Sequence, residues 1–140
     1  MSREATIVLV EDDAVDQLAI KRAFQKEKIA NTIIVARDGV EGLELLRGTE
    51  TKPPLPKPYI VLLDWNMPRM NGLEFLRALR ADPDHKDAVV FVLTTSKADE
   101  DRLAAYGEHV AGYVVKENVG NTFMELVRFV DHYWKIVELP

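Results

Sequence analysis

Five short apolar runs constrain this chain more than anything else in it: TIVLV at 6–10, NTIIVA at 31–36, YIVLL at 59–63, AVVFVL at 88–93 and AGYVV at 111–115. They are continuous rather than alternating. A strand with one wet face alternates; a strand covered on both faces does not. Helical patterns fill the gaps. From Ala14 to about Lys28, Ala19, Ile20, Ala23 and Phe24 recur at i, i+4 spacings. Asp38 caps a helix through Leu46 that Gly48 can end. Further helices are expected from Gly72 to about Arg80, from Lys97 to about Tyr106, and from Gly120 or Asn121 to about Val137. Five strands alternating with five helices predict an α/β fold, a parallel sheet with helices on both faces. The stretch TKPPLPKP, residues 51–58, holds four prolines. It suits neither helix nor central strand, and reads as a stiff surface loop.

The totals are compatible with this. The 140 residues suit one domain, with its core at about residues 6–137 and no effector domain. The composition, 47% hydrophobic and 29% charged, is that of an ordinary soluble protein. A net charge of -5 gives no reason to expect nucleic acid or an acidic membrane as a primary partner. The absence of cysteine excludes disulfides, thiolate chemistry and Cys-ligated metal. The first apolar run is too short for a signal peptide or a membrane span, so a cytoplasmic protein is expected.

In an open parallel sheet, ligands bind where the strands end at their carboxyl edge. Glu11-Asp12-Asp13 follows the first strand, Asp64 the third, Thr94-Thr95-Ser96 the fourth and Lys116 the fifth. Each alone is an ordinary turn, cap or solvated residue. Together they place carboxylates, hydroxyls and an ammonium on one edge. Several carboxylates in one pocket repel one another, and a hard divalent cation relieves this. Mg²⁺ takes oxygen ligands, using one or two carboxylates with waters and phosphate oxygens. An aspartate can accept a phosphoryl group when metal and cations neutralise the developing charge. Lys116 would balance phosphoryl oxygens, and Thr94 or Thr95 could donate a hydroxyl. Pro68 and Gly72 shape the loop after Asp64 so that backbone can approach the pocket.

The motifs VLVEDD, LLDWNMPRMNG, VLTTS and GYVVK, in that order, resemble a response-regulator receiver domain of two-component signalling. The resemblance runs from about Thr6 to Val137. It implies a flavodoxin-like (βα)5 fold with strand order 2-1-3-4-5. It implies Asp64 as the phosphoacceptor and Mg²⁺ as the cofactor, with Asp12 a direct ligand, Glu11 acting through water, and the Asn66 backbone carbonyl as a third protein ligand. Thr94 matches the switch hydroxyl, Thr95 the small residue after it, Tyr113 the switch aromatic and Lys116 the phosphate-binding lysine. Asp13 falls one place past the acidic pair and takes no ligand role. The family usually has a cis proline after the lysine, whereas Glu117 stands here. A non-proline cis bond costs about 2.5–4 kcal/mol, which favours trans. TTSKADED, the proline-rich stretch and the VDHYWKIVELP ending are most similar to single-domain regulators partnered with phytochrome-type sensor histidine kinases.

Two other readings compete. A Mg²⁺-dependent phosphohydrolase with an aspartyl nucleophile would want a second Asp two residues after Asp64 as general acid, and Asn66 cannot transfer that proton. A phosphorylation-independent binding module would not need this set of residues. The last helix adds an expectation of its own. At about 100° per residue, Phe123, Val127, Val130, Trp134 and Val137 form one apolar sector. Leu126, Phe129, Tyr133 and Ile136 form a second. One sector should face the sheet and the other serve as an interface, most simply a two-fold homodimer. The alternative is that the proline loop or the Glu138-Leu139-Pro140 tail folds over it.

Overall fold

Side-chain alternation along each strand explains the continuous apolar runs. In the computed structural model, which describes residues 4–119 and 123–140, five strands pair in parallel in the order β2-β1-β3-β4-β5. They are β1 (Thr6–Val10), β2 (Ile33–Ala36), β3 (Tyr59–Asp64), β4 (Val89–Thr94) and β5 (Gly112–Val115). Val8, Val10, Val61, Leu63, Val90 and Val92 point to one face. Ile7, Leu9, Ile60, Leu62, Phe91 and Leu93 point to the other. Both faces are covered, so the strands are apolar throughout their interiors, with polar residues only at strand ends such as Thr6, Asp64 and Thr94. The first face packs against α2 (Gly39–Arg47) and α3 (Gly72–Arg80) through Leu43, Leu46, Phe75, Leu76 and Leu79, with Ala105 from α4 (Asp99–Gly107). The second face packs against α1 (Ala14–Lys26) through Ile20, Ala23 and Phe24. Leu126, Val127 and Val130 of the last helix complete that layer. The α/β class, the parallel sheet and its strand order agree with the sequence expectation.

The helix ends follow local chemistry. Asp13 caps α1, Asp38 caps α2, and Asn71 with Glu74 forms a reciprocal capping box on α3. Gly48 ends α2 at φ 82°, a left-handed value that glycine adopts without a Cβ penalty. Residues 51–58 are neither helix nor strand. At the amino edge of the sheet, the Arg80 guanidinium donates to the carbonyls of Lys86, Ala88, Glu108 and His109. That one side chain ties α3 to the loops entering β4 and β5.

Three expectations need correction. The second strand starts at Ile33, the first residue paired with β1, rather than at Asn31, whose buried side-chain amide donates to the Ala5 carbonyl at 2.7 Å. A short helix, α5 (Lys116–Val119), follows β5 directly and was not expected. The last helix, α6, spans Met124–Ile136. Its expected start at Gly120 or Asn121 lies outside the described residues. The second apolar sector of α6 is not a uniformly exposed face: Leu126 is 3% exposed and belongs to the core, whereas Phe129 is 50% and Ile136 79% exposed. Tyr133 is intermediate, and the tail residue Leu139 packs against the same core. The cis peptide among the described residues is Lys57–Pro58, so Lys116–Glu117 is trans.

Candidate functional site

The register of the sheet carries the site residues to one edge. Asp64 is the last residue of β3, paired with Leu93 of β4, and Glu11 and Asp12 leave β1 beside it. Lys116 leaves β5 and opens α5. Gly72 permits the close return of the chain at the start of α3. Its N–H donates to the Trp65 carbonyl at 2.9 Å. A Cβ there would meet the Trp65 Cα at 2.9 Å and the Asp64 carbonyl oxygen at 3.0 Å. Only glycine fits so near the end of β3 without a shift.

Carboxylate oxygens of Glu11, Asp12 and Asp64 lie within 4.8 Å of one another. Glu11 and Asp64 are buried, and Asp12 is exposed at the mouth. One ammonium serves this group. Lys116 Nζ donates to Glu11 Oε1 at 2.8 Å and to Asp16 Oδ2 at 2.6 Å, and sits 3.9 Å from Asp64 Oδ1. Burial, then the neighbouring Glu11 carboxylate, pushes the Asp64 carboxyl up to about 8, against the pull of Lys116. For Lys116, burial acts downward, but the Asp16 and Glu11 carboxylates outweigh it and hold the ammonium above the ordinary lysine value.

The acids fit a divalent cation on direct grounds. Glu11 Oε2 is buried and has no hydrogen-bond partner. A buried, unpaired carboxylate oxygen is costly. A hard cation among the three carboxylates would satisfy it, and an all-oxygen donor set suits one.

The hydroxyl side of the pocket is the loop after β4. Thr94 is fully buried, and its Oγ1 accepts from the Ser96 N–H at 3.1 Å. Tyr113 O–H donates to the Ser96 carbonyl at 2.9 Å. Its ring meets Trp65 edge-on, with centroids 6.4 Å apart. Thr95 and Asn66 are exposed on their loops. The structure therefore brings Glu11, Asp12, Asp64, Thr94 and Lys116 to one edge, with Tyr113 and Trp65 beside it.

Three contacts escaped the sequence reading. Asp16 grips Lys116. Arg69 forms a two-pronged pair with Asp38. Lys97 pairs with Glu117, joining the loop after β4 to α5. Of these, only Glu117 carried a signal, as the acid standing where the resemblance places proline.

An open parallel sheet with an acidic cluster, a buried hydroxyl and a lysine at its carboxyl edge defines the receiver class of phosphoacceptor. Residues 7–128 match the response regulator receiver domain, and the chain belongs to that family. It is 32% identical over 135 residues to response regulator Rcp1 of Synechocystis sp., covering 96% of this chain and 92% of that protein. Among solved structures, the phosphorylated cyanobacterial phytochrome response regulator RcpA superposes with a TM-score of 0.88 at 29% identity, covering 99% of each chain. The Mn²⁺-bound form of Rcp1 superposes with a TM-score of 0.84 at 31% identity, covering 97% of this chain and 99% of that one. Among the described residues, no helix is long and apolar enough to cross a membrane.

Proposed function

We propose that this chain is a cytoplasmic response regulator that accepts a phosphoryl group on Asp64 from a sensor histidine kinase, with Mg²⁺ as the cation. The observation that carries this is the acid cluster with its unpartnered Glu11 oxygen and Lys116 beside Asp64. In the transfer, the P–N bond of a phosphohistidine breaks as a bond forms from Asp64 Oδ to phosphorus, and the imidazole takes up a proton. Mg²⁺, when bound, offsets charge on the phosphoryl oxygens. Asp12, Glu11, Asp64 and the Asn66 carbonyl would hold it. Lys116 orients toward the same oxygens. Thr94 supplies the hydroxyl that senses the new group, Thr95 leaves room beside it, and Tyr113 carries the change to the surface. The similarity to phytochrome response regulators supports a phytochrome-type kinase as partner. The phosphohydrolase alternative remains without its general acid, since Asn66 stands two residues past Asp64.

The experiment is phosphoryl transfer from acetyl phosphate and from purified candidate kinases to wild type and Asp64→Asn. Wild type should become labelled in Mg²⁺, and Asp64→Asn should not. Undiminished labelling of the variant would move the acceptor elsewhere. We also propose a homodimer through the exposed part of α6, centred on Phe129, Tyr133 and Ile136.

A further inference from the structure

Asp16 has no part in the acid cluster, yet it makes the shortest contact to the lysine of the site. It sits in the first turn of α1, where its N–H approaches the Asp13 cap at 3.4 Å. Its carboxylate is turned away from that cap and accepts from Lys116 Nζ at 2.6 Å. The same ammonium is 2.8 Å from Glu11 and 3.9 Å from Asp64. The ammonium is thus shared between one acid outside the cation cluster and two inside it.

A lysine and a divalent cation compete for the same carboxylates. Without an outside anchor, the nearest acceptors left to Lys116 are Glu11 and Asp64, both members of the cluster. Its ammonium would then move inward and occupy charge that the cation needs. We infer that Asp16 is a positioning residue that parks Lys116 at the rim of the pocket and keeps the acid cluster open to a divalent cation. Asp16 acts through Lys116, not as a ligand. The inference rests on reading the cluster as a divalent-cation site.

A simple charge effect must be separated from this. Neutralising Asp16 also removes a negative charge from the neighbourhood, which weakens cation binding whether or not Lys116 is present. A double-mutant cycle distinguishes the two. Mg²⁺ affinity is measured by calorimetry on wild type, Asp16→Asn, Lys116→Met and the double variant, each checked for folding by circular dichroism. Should Asp16→Asn fold poorly, Asp16→Ser takes its place in the cycle.

The expected result is that Asp16→Asn weakens Mg²⁺ binding about five-fold or more when Lys116 is present, and by less than about two-fold in the Lys116→Met background. Equal losses in both backgrounds overturn the positioning role and leave Asp16 as a bulk charge. No loss in either background overturns it as well. A wild type that binds no Mg²⁺ overturns the cation reading and this inference together, which the other outcomes do not.

Discussion

Asp38 holds two elements with one carboxylate. Its Oδ1 accepts from the Glu41 N–H at 2.9 Å and caps α2. Arg69, from the loop after β3, donates to it through Nε at 2.7 Å and Nη2 at 3.1 Å. Hydrogen bonding from Arg69 holds the Asp38 carboxyl below its usual value, against a smaller opposing push from burial. A lowered folded value means that the folded state binds its proton less tightly than the unfolded chain. The stabilisation is therefore fully present above the unfolded value, about 3.9, and is lost as pH falls through the lowered one. Asp38→Asn keeps the cap, since asparagine caps as well as aspartate, and removes the charge. Arg69 is more than half exposed, so solvent screening keeps the loss at pH 7 small. Urea unfolding of both proteins at pH 7 and at pH 3 checks this. The gap should narrow at pH 3, below the unfolded value, and a gap of equal size at both would show that charge is not its source. At this scale the sequence made part of the site legible. Glu11, Asp12, Asp64, Thr94 and Lys116 could be placed because each ends a recognisable apolar run. Asp16 could not. Its spacing from Asp13 reads as a helix-capping pair, and its partner lies 100 residues away.

The loop from β4 into α4 is the element best placed to respond at the pocket. Ser96 is its hub. Its N–H donates to Thr94 Oγ1, its Oγ donates to Asp101 and accepts from the Ala98 N–H, and its carbonyl accepts from Tyr113. If Thr94 Oγ1 turns toward a phosphoryl oxygen, the Ser96 N–H loses its acceptor and the loop has reason to rearrange. New bonds to a charged group supply about 1.5–3 kcal/mol each, enough to bias a two-state loop. Thr94→Ala should accept phosphoryl nearly as well as wild type, yet lose the phosphorylation-dependent change around Tyr113 and Ser96. Amide exchange of residues 95–98, with and without phosphorylation, reports this; an unchanged response in the variant would place the coupling elsewhere. Elements were the most legible scale, because the apolar runs named all five strands. The misses have local causes. Asn31 looked like strand because it adjoins a β-branched run, but the ladder with β1 begins only at Ile33. The short α5 begins at Lys116 itself, and four residues are too few to show a helical period.

Among the described residues, exposed apolar side chains stand on α1 (Val15, Leu18), on α4 (Leu103, Tyr106) and on α6, and those of α6 adjoin the core. Phe129 and Tyr133 both stand edge-on to Phe91, with ring centroids 5.4 and 5.0 Å away, so they are partly committed to the core. Ile136 continues the stripe at 79% exposure, and Val137, just past the helix end, is 39% exposed. The Leu139 tail covers part of the neighbouring core but leaves Ile136 bare. Periodicity alone could not settle this division, because a wide apolar arc does not say which residues the sheet takes. The division also decides which substitution is informative. Replacing Phe129 and Tyr133 together would strip Phe91 and disturb the fold, confusing loss of association with loss of stability. Ile136→Glu touches only the exposed stripe. A change at such an exposed site ordinarily shifts stability by no more than about 0.5 kcal/mol. An unpaired charge buried in an apolar contact costs several kcal/mol, so its effect on association is far larger than on folding. Wild type should sediment as a dimer and Ile136→Glu as a folded monomer with a nearly unchanged melting temperature. A wild type that stays monomeric at high concentration, phosphorylated or not, would remove the homodimer and leave this stripe to a different partner.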